Sequence, residues 1–565
     1  MRSSLRHPFL GSGRRCREFA SDLGSGPLVP RILVADPLAE DGLERLRRAG
    51  EVTVVSKLPE AELIKRIPEF DALIVRSETR VTASVLEAGR MLRVVGRAGV
   101  GVDNIDVDAA TRKGIIVVNA PRGNIVAAAE HTIALLVSLA RWVPQADASV
   151  KRGEWTRSKF VGTEIRGKTL GVIGLGNVGS EVAKRAHGLE MEVIAYDPVV
   201  SVERAELFNV ELLSLKELLE RSDFVTVHVP LVDANRHLIG RSELALMKTG
   251  ARLINAARGG IVDEKALFDA LKAGRLAAAA SDVFENEPPG DNPLLALHNF
   301  VATPHIGAST VEAQLSVAFD VAEEVAAVLA GDLPRFAVNA PALPPEELAY
   351  LRPFVTLTER LAALHVQLFG GRVSSIELDF EGELAEHDVN LLVASAIKGV
   401  LQAFTEDRIN PVNARLIASS RGVKLVERRS PGHGSYASLV TIRIGGHELA
   451  GTVLMGELRA VRIDSFRVDL VPEGRFLVSR HDDRPGVVGR FGTILGDHDV
   501  NIASMQVGRD APRGNAMMIL AVDDRVAPDV LAKLREVGGM ADLRYVELGS
   551  SGSPRTQGEA SEFVG

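Results

Sequence analysis

The chain has 565 residues, with 66 Lys and Arg against 74 Asp and Glu, a formal net charge of -8, and 46% hydrophobic, 25% charged and 4% aromatic residues. That length exceeds what one hydrophobic core organises, so several domains are expected, and the slightly acidic balance offers no broad basic field for nucleic acid or an anionic membrane. The sole cysteine, Cys16, cannot close an intramolecular disulfide, which fits a reducing, cytoplasmic setting.

The first 29 residues carry Arg2, Arg6, Arg14, Arg15 and Arg17 against Glu18 and Asp22, among serines and glycines. Two readings stay open here: a disordered extension, or an organelle transit peptide that lacks a clear amphipathic period. From Arg31 the chain alternates short apolar, β-branched runs with helical segments. "RILVAD" (31–36), "DALIVRS" (71–77), "RVVGRAG" (93–99) and "GIIVVNAP" (114–121) read as buried parallel strands. A longer helical pattern is expected over 125–150; its "TIALLVSLA" is the closest approach to an apolar span and is far short of a membrane helix. A second series follows with "TLGVIGLG" (169–176), "EVIAYDP" (192–198), "FVTVHVP" (224–230), "ARLINAARG" (251–259) and "FVATPH" (300–305). Two successive series imply two doubly wound, Rossmann-like α/β domains with a ligand cleft between them. The segment 316–331 is expected to be a helix that returns to the first domain.

In the second series Gly174, Gly176 and Gly179 form G-x-G-x-x-G between a strand and a helix, where a pyrophosphate meets free N–H groups and the positive helix end. Asp197 ends the next strand, at the distance expected of an acid that accepts from a ribose 2′-OH. An acid there would repel a 2′-phosphate, so NAD is favoured over NADP. An enzyme oxidising a hydroxyl beside a carboxylate also needs a cation and a base. Arg258 in "NAARGGIVDE" suits a carboxylate through its planar fork. His305 in "ATPHIGAST" can exchange a proton near neutrality, and Glu287 in "DVFENEPP" can hold its other ring nitrogen and raise its pKa. Singly, each of these residues is as readily a surface ion pair, a satisfied structural histidine or a loop charge.

Together, "GRAGVGVDNID", "GVIGLGNVG", "NAARGGIVDE", "SDVFENEPP" and "TPHIGAST" resemble, in order and spacing, the D-isomer-specific 2-hydroxyacid dehydrogenases over 31 to about 340. The resemblance implies that Arg258, Glu287 and His305 are catalytic and that no metal takes part. It further implies that Asn177, Val178, Val229, Pro230, Ala256, Ala257, Asp282, Gly307 and Ala308 join Gly174, Gly176, Gly179 and Asp197 around NAD. Within that family the chain looks like the branch acting on 3-phosphoglycerate, with 2-oxoglutarate reduction as a side activity. Arg76 and Arg97 match the positions that reach the substrate phosphate, with Arg157 a further candidate across a subunit boundary. The backbone of Val100 and Gly101 would cradle the carboxylate. Two other readings are kept: a glyoxylate or hydroxypyruvate reductase on the same fold, and an NAD(H)-sensing interaction protein.

About 220 residues follow. "NAPALPPEE" (339–347) reads as a linker, and beyond it strand-rich alternation surrounds helices near 350–368 and 389–405. This stretch resembles the intervening, allosteric-substrate-type domain of long-form family members. The segment from Gly474 resembles an ACT domain, a βαββαβ sensor that pairs edge to edge. His481, Asp483 and Asn501 match effector-contacting positions, which would make L-serine the effector; a purely assembly-forming domain is the alternative. The expected organisation is a disordered extension (1–29), a substrate-binding domain (30–129 with 306–338), a dinucleotide-binding domain (130–305), C-terminal α+β intervening (339–472) and ACT-like (473–549) domains, and a disordered tail (550–565). A homodimer or homotetramer is expected, without nucleic-acid or membrane partners.

Overall fold

The computed structural model describes residues 29–340, 343–405, 408–432 and 434–549. The expectations for the N-terminal extension, apart from its last residue, and for the tail from 550 lie outside the described residues.

Five parallel strands, β1 (Arg31–Val34), β2 (Glu51–Val54), β3 (Ala72–Val75), β4 (Val94–Arg97) and β5 (Ile116–Asn119), form the first sheet in the order β2-β1-β3-β4-β5. Every residue of β3 is buried, as a parallel strand covered by helices on both faces requires. The chain leaves through helix Ile125–Arg141 and returns through helix Val311–Ala330. Val317, Val321 and Val325 of the returning helix share an apolar cluster with Ile32, Ile74 and Val94, so this helix does close the first domain. It starts five residues earlier than the sequence suggests because Thr310 caps it, its Oγ1 accepting the Ala313 N–H at 3.1 Å.

The helical pattern over 125–150 is two helices, not one. Trp142 turns left-handed at φ 57°, and Val143–Lys151 sets off at 65°. Pro144 is the cause, since its ring cannot follow a helical carbonyl four residues back. Among the described residues no single helix is long and apolar enough to cross a membrane.

The second sheet holds seven parallel strands: β6 (Thr169–Ile173), β7 (Glu192–Tyr196), β8 (Glu211–Leu212), β9 (Phe224–Val227), β10 (Arg252–Asn255), β11 (Ala278–Ser281) and β12 (Phe300–Ala302). Their order is β12-β11-β10-β9-β6-β7-β8. The direction of winding reverses at β6, and the crevice beyond its carboxyl end is where such sheets take ligands.

The third sheet, β13 (Ser375–Gly382), β14 (Lys424–Ser430), β15 (Ser438–Ile444), β16 (His447–Leu454), β17 (Glu457–Ile463) and β18 (Phe466–Leu470), runs β14-β13-β15-β16-β17-β18 under helices Pro345–Phe369 and Asn390–Leu401. The fourth, β19 (Gly474–Asp482), β20 (Ile502–Arg509), β21 (Asn515–Val522) and β22 (Met540–Leu548), runs β20-β21-β19-β22 with helices Val487–Gly496 and Pro528–Arg535, the anticipated βαββαβ order. Its other face does not form a separate core: Phe476, Ile519 and Val546 belong to the same apolar cluster as Leu357, Leu361 and Ile376. Two side-chain amides close the join. Gln367 donates to the Glu547 carbonyl at 3.0 Å and accepts its N–H at 2.9 Å, and Gln506 pairs in the same two-way fashion with the backbone of Asp469. Each amide occupies the hydrogen-bonding groups of one edge-strand residue.

Candidate active site

The two parallel sheets face a common cleft of about 680 Å³. On one side lies the turn after β6. Gly174 has φ 95°, and a Cβ there would sit 2.9 Å from the His228 backbone; a Cβ on Gly179 would collide with the Gly174 carbonyl oxygen. A Cβ on Gly176 would meet nothing, so the open side of the turn is free for a bulky anion at the start of helix Asn177–Gly188. Asp197, just past β7, accepts the Leu175 N–H at 2.8 Å on Oδ2 and those of Val199 and Val200 at 2.9 and 3.1 Å on Oδ1. Its carboxylate is thereby fixed beside the glycine turn with acceptor capacity to spare. Val178, Val229, Pro230, Ala256, Ala257, Asp282, Gly307 and Ala308 line the cleft onward from that turn. These residues fit an extended dinucleotide.

His305 stands beyond β12 with φ 54°, a left-handed conformation unusual for a side chain of this size. Its N–H donates to the Asp282 carbonyl at 2.8 Å, and its Nδ1 lies 2.7 Å from Glu287 Oε2. Glu287 Oε1 accepts the Phe284 N–H at 3.0 Å. Burial would raise the Glu287 carboxyl, but the bonds from His305 and Phe284 outweigh it and hold the group below its ordinary value. With Nδ1 directed at the carboxylate, Nε2 is the ring nitrogen left for chemistry in the cleft.

Arg258 is presented by the turn after β10. Buried Asn255 shapes that turn, donating to the Arg258 carbonyl at 2.9 Å and accepting the Ala257 N–H at 3.1 Å. Arg258 Nε donates to Asp103 Oδ2 at 3.2 Å, and a Cβ on Gly101 would strike its guanidinium. Arg76 and Arg97 line the same cleft. Asp36 anchors the Arg76 turn by accepting the N–H groups of Arg76 and Thr79 at 2.5 and 3.2 Å and the Thr79 hydroxyl at 2.6 Å. Arg97 Nε is buried with no partner among the described residues. Burial first, then the positive charges of Arg258 and Arg76, pull the Arg97 pKa down to about 10. Three guanidiniums that repel one another in one cleft are arranged for an anion of more than one charge. Asn119 Nδ2 donates to the Val100 carbonyl at 2.7 Å, fixing the loop that carries the Val100 and Gly101 N–H groups.

Sequence reasoning passed over several polar residues here. His228 lines the cleft, and burial drives its pKa down to about 4, so it is a neutral ring, 3.0 Å from Thr226 Oγ1. Asp36, Asn255, His131 and Thr303 were also missed. Asp36 and Asn255 directly follow or end a buried apolar strand run, which is the one signal that could have marked them.

The expected effector residues are not brought together in one chain. Buried His481 and adjacent Asp483 lie at the end of β19 that pairs with Asn515, and Asp483 accepts the Arg513 N–H at 2.9 Å. Asn501 precedes Ile502, which pairs with Val522 at the opposite end of the sheet, and its amide donates to Asp523 at 2.6 Å. Arg157 sits near exposed Trp155, 5.7 Å from its ring centroid, and does not line the cleft.

Comparison with known proteins agrees with this geometry. The family description "D-isomer specific 2-hydroxyacid dehydrogenase, NAD binding domain" matches residues 133–307, "D-3-phosphoglycerate dehydrogenase intervening domain" matches 350–464, and "ACT domain" matches 475–539. D-3-phosphoglycerate dehydrogenase of Archaeoglobus fulgidus is 46% identical over 526 residues, covering 92% of this chain and 100% of that protein. The Bacillus subtilis enzyme of the same name is 41% identical over 525 residues, covering 92% and 99%. Among solved structures, the TT0316 protein of Thermus thermophilus superposes with a TM-score of 0.51 at 38% identity, covering 55% of this chain and 99% of its own. A glyoxylate reductase from Paecilomyes thermophila gives 0.51 at 29% identity, covering 57% and 100%. With its cleft, its intervening domain and its βαββαβ module all accounted for by relatives of full length, the chain belongs to the D-3-phosphoglycerate dehydrogenase family of NAD-dependent oxidoreductases.

Proposed function

We propose that this chain oxidises 3-phospho-D-glycerate to 3-phosphohydroxypyruvate with NAD, the first step of the phosphorylated route to L-serine. The convergence of Arg76, Arg97 and Arg258 on the cleft that holds His305 carries this reading. Arg258 takes the substrate carboxylate in its fork, helped by the Val100 and Gly101 N–H groups, and Arg76 and Arg97 take the phosphate dianion. His305 Nε2 accepts the C2 hydroxyl proton as the C2 hydrogen leaves as hydride, and Glu287 stabilises the imidazolium that results. Bound NAD supplies the hydride acceptor, held by the Gly174, Gly176 and Gly179 turn with Asp197 on its ribose. Reduction of 2-oxoglutarate by the same groups follows if Arg76 and Arg97 accept its distal carboxylate.

L-serine is the proposed effector of the βαββαβ module. Because Asn501 and the His481 and Asp483 pair lie at opposite ends of one sheet, a small effector that touches both bridges two copies of the domain. On this reading the active form is a homodimer or homotetramer, and we propose that it works in the cytoplasm. The experiment is steady-state turnover of 3-phosphoglycerate by the parent and Arg76→Ala, each titrated with L-serine. Arg76→Ala should raise KM for the phosphorylated substrate on the order of tenfold or more, as losing one charge-assisted contact of about 1.5–3 kcal/mol implies. An unchanged KM removes Arg76 from the phosphate site, and turnover indifferent to serine leaves the module a purely assembling one.

A further inference from the structure

Four donors converge on the buried carboxylate of Asp282. Thr303 Oγ1 donates to Oδ1 at 2.5 Å, the Ile306 N–H to Oδ1 at 2.9 Å and the Gly307 N–H to Oδ2 at 2.8 Å. The fourth comes from outside the loop: His131, on helix Ile125–Arg141, brings Nε2 to 3.3 Å from Oδ1 and 3.1 Å from Thr303 Oγ1. The Asp282 carbonyl meanwhile holds the N–H of His305. One residue therefore grips both sides of His305, at its own N–H and at the two N–H groups that follow. That grip keeps a non-glycine residue left-handed, a conformation that survives only where its surroundings over-determine it. The Asp282 side chain is 1% exposed, so water cannot replace a lost donor.

We infer that His131 is a positioning residue: as the outside donor to Asp282 and Thr303, it locks the loop that aims His305 at the substrate. His131 does not line the cleft, so its effect reaches turnover through the loop it holds: through the aim of His305, read in kcat, and through Asp282 and Gly307 beside the cofactor, read in NADH binding. The inference rests on His305 being the base, and the experiment separates the two. His131→Phe keeps a flat ring and removes the donor; His131→Gln restores an N–H close to the place of Nε2. His131→Phe should lower kcat on the order of 10- to 100-fold, the scale expected of a small misplacement of a reacting group, with KM within about threefold. Its solvent deuterium isotope effect should rise as proton transfer becomes limiting. His131→Gln should recover kcat to within about threefold of the parent, because the single hydrogen bond it restores accounts for the loss. A kcat for His131→Phe within about twofold of the parent overturns the inference, as does a His131→Gln protein that binds NADH normally yet is no better than the phenylalanine variant. Should His131→Phe not fold, Thr303→Val, which removes the hydroxyl bridging His131 to Asp282, must show the same loss of kcat at unchanged KM, and parental kcat there overturns it equally. His305→Asn, run alongside, reports on the base itself: full turnover in that variant rejects His305, whatever the His131 variants do.

Discussion

Replacing Arg97 with methionine should make the ligand-free protein more stable while removing its selectivity for a phosphorylated substrate. The Arg97 pKa is pulled to about 10, far below where a free guanidinium titrates, and a shift of that size reflects about 3 kcal/mol of unfavourable surroundings for the cation. Water in the open cleft screens part of this, and Arg97 Nη1 also gives up a 2.9 Å hydrogen bond to the Ala98 carbonyl, worth about 1 kcal/mol. The net expectation for Arg97→Met is a gain of about 1–2 kcal/mol, the sign seen when an uncompensated charge gives way to an apolar group of similar length. Saturating 3-phosphoglycerate should reverse the order, since ligand at a hundred times its Kd stabilises the parent by about 2.7 kcal/mol and the variant by much less. Urea unfolding of both proteins, with and without the ligand, reads these differences directly. A variant less stable than the parent without ligand, and equally stabilised by it, would mean that these arginines do not form a strained anion site.

Other consequences are as specific. His305→Asn keeps a polar N–H near the place of Nδ1 and removes the ring nitrogen that moves the proton, so kcat should fall by about 10² to 10⁴ with NADH binding retained; fluorescence titration and turnover together check it. Gly179→Ala places a methyl against the Gly174 carbonyl, so the turn must open, and NADH affinity should drop at least tenfold, on the order of 1.4 kcal/mol, by the same titration. Acid stability tests Asp282. Burial raises its carboxyl, but the bonds from His131, Thr303, Ile306 and Gly307 prevail and hold it below the ordinary value of 3.8. A depressed group stabilises the fold above its unfolded pKa and loses that contribution as pH falls through the folded one, so the effect should fade from about pH 5 downward. Denaturation midpoints of Asp282→Asn should therefore depend less steeply on pH across that acid limb than those of the parent. Parallel curves would remove Asp282 from the account.

The central parallel strands were legible because burial on both faces demands continuous β-branched runs, and "ALIV" or "FVTV" are hard to read otherwise, whereas the half-exposed edge strands β2 and β8 carry no such run and were not read. β11 escaped because Ala278–Ser281 is built from alanines, poor strand formers; Ala278 and Ala280 share a core cluster with Ala129 of helix Ile125–Arg141. The break at Trp142 was written in Pro144, but the apolar stripe on either side masked it. The G-x-G-x-x-G turn and the His305 and Glu287 pair were marked by local spacing and family resemblance, and they lie as close as that pattern implies. The roles of His131, Asp36 and Asn255 were not legible, since each depends on which buried backbone group or carboxylate faces it in three dimensions. The separation of Asn501 from His481 and Asp483 is a matter of strand register, which no spacing along the chain reveals.

Whether this cleft oxidises a phosphorylated 2-hydroxy acid is decided by NADH consumption with 3-phosphohydroxypyruvate and hydroxypyruvate compared on the parent protein. The kcat/KM should be at least about a hundredfold higher for the phosphorylated keto acid, since two guanidiniums contribute about 1.5–3 kcal/mol each to binding it. Equal or faster turnover of hydroxypyruvate would contradict it: Arg76 and Arg97 would then be structural, and the same catalytic set would serve a hydroxypyruvate or glyoxylate reductase.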